Sequence, residues 1–174
     1  MKKRKSGEKG FTLIEVIVTL VLVGITAALA GMWIVSVASG YVFTKMNANT
    51  VQKAQLAVTR LAKEFAAIKS VDTNIINTNA TKISYTRTDA SGSPVLATVS
   101  STGNALQLNV NNTGNNTLTD SVSSFALTYC DNANSTGCPS TWTSASRIIE
   151  ISLTLTGANN TPSTFVQRVT PRNL

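Results

Sequence analysis

The sequence predicts an α+β fold, in which a long N-terminal α-helix packs on the antiparallel β-sheet of a C-terminal head. No residue from Val16 to Thr44 carries a charge, and no proline interrupts this run. One continuous helix can therefore form there. From Val71 onwards the chain is rich in Thr, Ser and Asn and contains short β-branched runs. This composition is typical of short strands that are joined by turns.

The uncharged run indicates a membrane-spanning helix, because it exceeds the about 20 apolar residues that cross a bilayer. One acid, Glu15, lies directly at the start of this run. An ionised side chain near the bilayer centre costs roughly 2.5–3.5 kcal/mol, so such acids are usually paired or functional. Cleavage between Gly10 and Phe11 would create an α-amine four residues before Glu15, on the same helix face. The alternative is that Glu15 stays hydrated among the lipid headgroups.

Beyond the uncharged run, the helix pattern continues with apolar residues spaced alternately three and four apart. These residues are Val51, Ala54, Val58, Leu61, Phe65 and Ile68. The other faces carry Gln52, Lys53, Gln55, Arg60, Lys63, Glu64 and Lys69. The pattern predicts an amphipathic helix half over 45–70 that covers a small domain, since two to three heptads are short for a coiled coil.

The segment 71–174 is predicted to form an antiparallel sheet, because its apolar and polar residues alternate in short runs between turn residues. The predicted strands cover residues 82–87, 95–100, 105–110, 122–130, 147–156 and 164–170, and residues 111–116 are predicted to form a loop. A sheet needs a cover for its apolar face. The apolar stripe of the helix can supply this cover.

The basic excess is concentrated at the N-terminus. Five basic residues against Glu8 give the first ten residues +4 of the formal net charge of +7. This distribution is typical of a cytoplasmic flank under the positive-inside rule. A nucleic-acid site would need Lys and Arg clustered on one folded face. The remaining basic residues are scattered singly, so no direct nucleic-acid site is predicted.

Two cysteines, Cys130 and Cys138, lie beyond the uncharged run and are not spaced as a CxxC motif. The orientation rule places them outside the cytoplasm, where a disulfide is chemically permitted. A bridge between them would contribute about 2–3 kcal/mol in the chain-entropy model. Two free thiols are the alternative.

An ordinary secretory signal is the main alternative for the N-terminus. Met1 to Lys9 would be its basic region, and Ala28-Leu29-Ala30 before Gly31 resembles a cleavage site. However, the apolar character continues well past Gly31. In addition, the central region of a signal peptide is apolar, so it gives no reason for an acid such as Glu15 near its start.

The sequence favours a structural or assembly protein over an enzyme, and we expect no cofactor. It contains no histidine, which is the commonest general base and metal ligand, and no Gly-x-Ser-x-Gly motif. The acids of the head are well separated and show no metal-loop spacing. Asp131 with Asn132 and Asn134 is compatible with a weak calcium site, but an Asx-turn is more common for such residues.

Lys9-Gly-Phe-Thr-Leu-Ile-Glu-Val16 after a basic leader resembles the class III signal of type IV pilins and type II secretion pseudopilins. The resemblance implies that the prepilin peptidase removes residues 1–10 after Gly10 and N-methylates Phe11. It further implies that Glu15 pairs with the amine of a neighbouring subunit, with residues 11–44 forming the filament core. The motif covers only about the first quarter of the chain.

The head resembles the J-type pseudopilins and the related W-type minor pilins. The matching segments are 118–129, 147–155 and 169–174. This resemblance is diffuse, and it implies a minor subunit in an initiating complex near the filament tip. Most type IV major pilins carry a proline where this chain has Met32, a departure that also favours a minor subunit.

The implied partners are the prepilin peptidase, other pilin or pseudopilin subunits, inner-membrane lipid before assembly, and the inner-membrane assembly platform. The implied location is the bacterial inner membrane, with the head in the periplasm or outside the cell, and then the filament. A different class of function also fits, namely a single-pass anchored binding domain that never polymerises.

Overall fold

The computed structural model describes residues 10–74 and 76–174. Most of the predicted leader, residues 1–9, lies outside the described residues. The chain divides into two compact units, one ending at Thr44 and the other comprising Lys45–Leu174. Helix α1 covers Leu13–Ala66. The strands are β1 (Ile68–Val71), β2 (Lys82–Thr88), β3 (Pro94–Thr102), β4 (Ala105–Val110), β5 (Asn115–Thr119), β6 (Val122–Cys130), β7 (Ile148–Thr156) and β8 (Pro162–Val169).

In the first unit, all residues from Gly10 to Thr44 are exposed. From Leu13 onwards they belong to α1, which is long and apolar enough to cross a membrane. Exposed apolar side chains such as Leu22 and Ile34 cover this part of the helix. A surface of this kind favours an apolar environment, because each Å² of apolar surface removed from water contributes about 25 cal/mol of free energy.

The second unit combines the rest of α1 with two antiparallel sheets. The five-stranded sheet has the order β1-β2-β3-β4-β5, and the three-stranded sheet has the order β6-β7-β8. The apolar core includes Ala54, Leu61 and Phe65 of α1, together with inward-facing residues of both sheets. The predicted α+β fold, with a long helix on an antiparallel sheet, is confirmed, although the strands form two sheets where we predicted one.

Helix α1 ends at Ala66, four residues before its predicted end near Ser70. The next residues form β1, in which Ile68 lies opposite Arg87 and Val71 opposite Tyr85 of β2. The β-branched side chains of Ile68 and Val71 favour a strand. Ile68 therefore packs in the core as a residue of β1, and not as part of the apolar face of α1 as we predicted.

Strand β5 forms partly within residues that we predicted to be a loop. Its pairing with β4 places Asn115 opposite Asn109 and Thr117 opposite Gln107. The side chains of residues 115–117 are exposed at the edge of the sheet. The apolar alternation that marks a half-buried strand is therefore absent there.

Glu64 was predicted on a polar, solvent-facing side of the helix, and this prediction is wrong because its side chain is only 7% exposed. Its Oε1 lies 2.7 Å from an Arg60 guanidinium nitrogen. Its Oε2 lies 2.9 Å from Nε of Arg87, as an ion pair rather than an aligned hydrogen bond. The Tyr85 hydroxyl donates a hydrogen bond of 3.3 Å to the same oxygen. Burial, together with the charge of Glu64, raises the pKa of Tyr85.

We predict that Glu64→Ala lowers the free energy of unfolding by about 3 kcal/mol, because it leaves Arg87 without its buried partner. The matched control is Glu150→Ala, which removes an ion pair with Arg168, whose side chain is 43% exposed. An exposed pair is worth only about 0–1 kcal/mol. Urea unfolding of the full chain in detergent, followed by near-ultraviolet circular dichroism, measures both values. Equal losses in the two variants would contradict the structural role given to Glu64.

Candidate processing and assembly site

The candidate cleavage site lies immediately before helix α1. Gly10, Phe11 and Thr12 belong to no helix or strand, and α1 begins at Leu13. The Phe11 side chain is 80% exposed. Among the described residues other than its chain neighbours, none places a heavy atom within 4 Å of the position that a Cβ would take at Gly10. On the described side of the Gly10–Phe11 bond, the chain is therefore exposed.

Glu15 lies in the first turn of α1 and is the only charged residue from Gly10 to Thr44. Its backbone N–H donates a 3.1 Å hydrogen bond to the Thr12 carbonyl. Within residues 10–74 and 76–174, no cationic group forms an ion pair with its carboxylate. A carboxylate near a helix N-terminus is favoured by the helix dipole, typically by about 0.3–1 kcal/mol. The helix dipole thus favours the charge of Glu15, but no counter-ion for it lies among the described residues.

A local signal at this helix start was not recognised from the sequence. Thr12-Leu-Ile-Glu15 has the Thr-x-x-Glu spacing of a capping box, in which two side chains satisfy free N–H groups at the helix start. In the part of the chain that the structure describes, neither side chain makes a capping hydrogen bond. The spacing therefore coincides with the start of α1 at Leu13 without stabilising it through those bonds, and it gives Glu15 a second role to be tested.

Cys130 and Cys138 are joined by a disulfide, with their Cα atoms 4.9 Å apart. The bridge follows strand β6 and closes an exposed loop. Beside it, the Tyr129 backbone N–H donates to the Pro139 carbonyl at 2.8 Å. Arg168 also holds the loop, by donating to the Ala133 carbonyl at 2.7 Å. The disulfide belongs to the head and shares no residue with the site around Gly10, Phe11 and Glu15.

The loop between the two cysteines contains an Asx-turn at Asn132, whose side-chain oxygen accepts a 3.0 Å hydrogen bond from the Asn134 backbone N–H. The Asp131 carboxylate accepts hydrogen bonds from the Ser135 hydroxyl and from the Asn132 backbone N–H. These bonds, that of Ser135 foremost, lower the pKa of Asp131. The residues described contain no group of three or more His, Cys, Asp or Glu that could hold a metal ion. The carboxylate is thus already engaged within its own loop.

Trp142 packs against Tyr129 in an edge-to-face arrangement, with ring centroids 5.6 Å apart. Burial raises the pKa of the Tyr129 hydroxyl, which donates a 3.1 Å hydrogen bond to the Asn79 carbonyl. Trp142 is partly buried against the core. The aromatic pair therefore belongs to the edge of the core next to Cys130, which directly follows Tyr129.

Residues 5–31 match a family model described as the prokaryotic N-terminal methylation motif. The matched range includes Gly10, Phe11 and Glu15, and it covers less than a fifth of the chain. No curated protein matches the chain. The chain thus carries a type IV pilin-like class III signal, and its long helix with antiparallel sheets is a pilin-like α+β fold. This motif marks precursors of structural, non-enzymatic proteins.

Proposed function

We propose that the chain is a minor pilin or pseudopilin that assembles through its N-terminal helix into a type IV pilus or a type II secretion pseudopilus. The observation that carries this proposal is the match over residues 5–31. It is supported by Glu15, the one charged residue from Gly10 to Thr44, which lies in the first turn of an exposed apolar helix segment. A carboxylate in that position is stable in an apolar filament core only when a cation neutralises it.

The proposed maturation creates that cation. The prepilin peptidase cleaves after Gly10, which removes the basic leader and leaves Phe11 with a free α-amine, and the same enzyme N-methylates this amine. Glu15 of an incoming subunit then pairs with the amine of a neighbouring subunit. Opposite charges within about 4–6 Å favour each other's ionised forms, so this pair sets the docking register of the helices.

Before assembly, the segment 11–44 anchors the subunit in inner-membrane lipid, with the head outside the cytoplasm. The assembly platform of the inner membrane then transfers it to the growing filament, where the segment joins a helical bundle. We assign the segment 45–70 to the amphipathic support of the head and the segment 71–174 to the head itself, with the helix giving way to β1 after Ala66.

The proposed place in the filament is an initiating complex near the tip. Strands β6, β7 and β8 and the last residues of the chain support this placement, because they contain the segments that resemble J-type and W-type minor subunits. Met32, in place of the proline of most major pilins, also supports it.

Shearing of filaments from intact cells tests the proposed function. We expect antibody against the head to detect the chain in sheared filaments at a small fraction of the major subunit. The chain should also be present in the inner membrane. Its complete absence from sheared filaments and pseudopili, with normal amounts in the membrane, would favour an anchored binding domain that does not polymerise.

A further inference from the structure

Among the described residues, each sheet of the head ends in two edge strands. These are β1 and β5 in the five-stranded sheet and β6 and β8 in the three-stranded sheet. An edge strand leaves a row of backbone N–H and C=O groups without a strand partner, and such a row can pair with another chain. Proteins commonly protect their sheet edges with short strands, bulges, charges or covering loops. The edges of this head differ in that protection.

Strands β1, β5 and β6 are protected. Strand β1 has four residues and β5 has five, and the pairing of each with its neighbour contains a register shift. Strand β6 is longer, but other segments of the chain cover its outer edge. There the Leu127 N–H donates to the Ala80 carbonyl at 2.6 Å. The Val122 N–H donates in the same way to the Asn104 carbonyl at 2.9 Å. None of these three strands presents a long, free row of backbone groups.

Strand β8 lacks most of this protection. It has eight residues, and its pairing with β7 runs from Ile149 opposite Val169 to Thr156 opposite Pro162 without a register shift. Its proline is the first residue, and its one charged residue is Arg168. In the part of the chain that the structure describes, no backbone group outside the sheet hydrogen-bonds to the backbone of β8. We call the side of β8 that faces away from β7 the open edge.

The turn before β8 determines which backbone groups point to the open edge. The Gly157 N–H donates to the Thr161 carbonyl at 2.8 Å, so Thr161 faces the chain of β7. In an antiparallel pair, successive residues bond alternately towards the partner strand and away from it. Because the register has no shift, Thr164, Val166 and Arg168 direct their N–H and C=O groups to the open edge.

The side chains of these three residues are uncharged or already neutralised. Val166 is apolar and 61% exposed. The Thr164 hydroxyl shares a 2.9 Å hydrogen bond with a threonine hydroxyl of β7. Arg168 Nε donates to Glu150 Oε2 at 2.6 Å, and the Arg168 carbonyl accepts a 3.1 Å hydrogen bond from the Gln167 side chain. The open edge thus offers free backbone groups at Thr164 and Val166, an apolar side chain and no unpaired charge.

We propose that the open edge of β8 binds an uncharged, extended segment of another polypeptide, which joins the three-stranded sheet as an additional strand. Backbone hydrogen bonds with Thr164 and Val166 hold the segment, as in other cases of strand addition. A charge opposite Val166 would lose water without gaining a partner, so the segment carries an apolar, β-branched residue there. This inference goes beyond the proposed function, because a filament subunit and an anchored binding domain can both use this edge.

Two synthetic peptides of alternating valine and threonine test this proposal with the full chain in detergent. The first peptide is N-methylated at every second residue, so only one of its edges can donate hydrogen bonds. The control peptide is N-methylated at every residue. By fluorescence anisotropy, we expect the first peptide to bind at least about tenfold more tightly, a ratio that corresponds to about 1.4 kcal/mol. Its binding should slow amide hydrogen exchange at Thr164, Val166 and Arg168.

Two variants locate the binding site. Val166→Lys places a charge on the open edge, and we expect it to weaken binding of the first peptide at least about tenfold. The matched control Thr117→Lys places the same charge on β5, where the Thr117 side chain is also exposed, and should leave binding unchanged. Circular dichroism verifies that both variants are folded.

Equal affinities for the two peptides would overturn the proposal, as would unchanged binding in Val166→Lys. Slowed exchange in β1 or β5 without slowing in β8 would also overturn it. Slowed exchange at Thr164 and Val166 without peptide, increasing with protein concentration, would assign the open edge to a second copy of this chain and not to another polypeptide. These measurements do not involve filament assembly, so they can fail while the proposed function holds.

Discussion

Replacing Glu15 by alanine is expected to reduce incorporation into filaments by at least about tenfold and to leave membrane insertion intact. The loss follows from the unpaired α-amine that Glu15→Ala would leave in the filament core. Breaking a buried ion pair costs about 3–5 kcal/mol, and about 1.4 kcal/mol already corresponds to tenfold. Insertion should not suffer, because the substitution removes a charge from the apolar segment. The ratio of sheared to membrane-bound chain measures the effect.

The variant Glu15→Gln distinguishes two possible roles of Glu15, namely charge pairing with an amine and stabilisation of the helix start. Glutamine can occupy the same position of a capping box, so the start of α1 at Leu13 should be preserved. It cannot pair with a cation. We therefore expect Glu15→Gln to fail in assembly as severely as Glu15→Ala. Incorporation of the glutamine variant at the wild-type level would show that Glu15 acts through the helix start and not through charge pairing.

Gly10→Val is expected to abolish maturation, so that the chain in cells retains its leader. The substitution should not disturb the described fold, because no described residue other than a chain neighbour lies within 4 Å of the Cβ position at Gly10. A block must then arise in the peptidase, which has to accommodate the residue before the cleaved bond. Intact mass spectrometry of the membrane-extracted chain measures the retained leader.

The matched control for this substitution is Gly24→Val, since the Cβ position at Gly24 is equally open. Gly24 lies within α1, away from the proposed cleavage site, and the control chain should mature normally. A normal mature mass from Gly10→Val would count decisively against cleavage after Gly10.

The long helix and most strands could be predicted because their patterns are local. Residues 149–156 of β7 alternate between buried and partly exposed positions, and the sequence shows this alternation directly. The burial of Glu64 could not be predicted from the helix alone. Its counter-ion Arg87 belongs to β2 and approaches only through tertiary packing. A charged residue on a helix is ordinarily assigned to solvent unless its partner is known.

The candidate site was accessible to sequence reasoning because Gly10, Phe11 and Glu15 lie within six consecutive residues. The ion pair of Lys53 with Asp120 was not, because the two residues are far apart in the sequence and meet only in the folded head. The same holds for the close approach of Gly157 to the Asn47 side chain. No local pattern predicts that contact.

The mass of the N-terminal peptide of the chain purified from cells decides whether Glu15 has the partner that we propose for it. We expect the mature chain to begin with N-methyl-phenylalanine at position 11, with its amine available to pair with Glu15. A chain that begins at Met1 or at Gly31 would lack this amine and would rule out the proposed pairing.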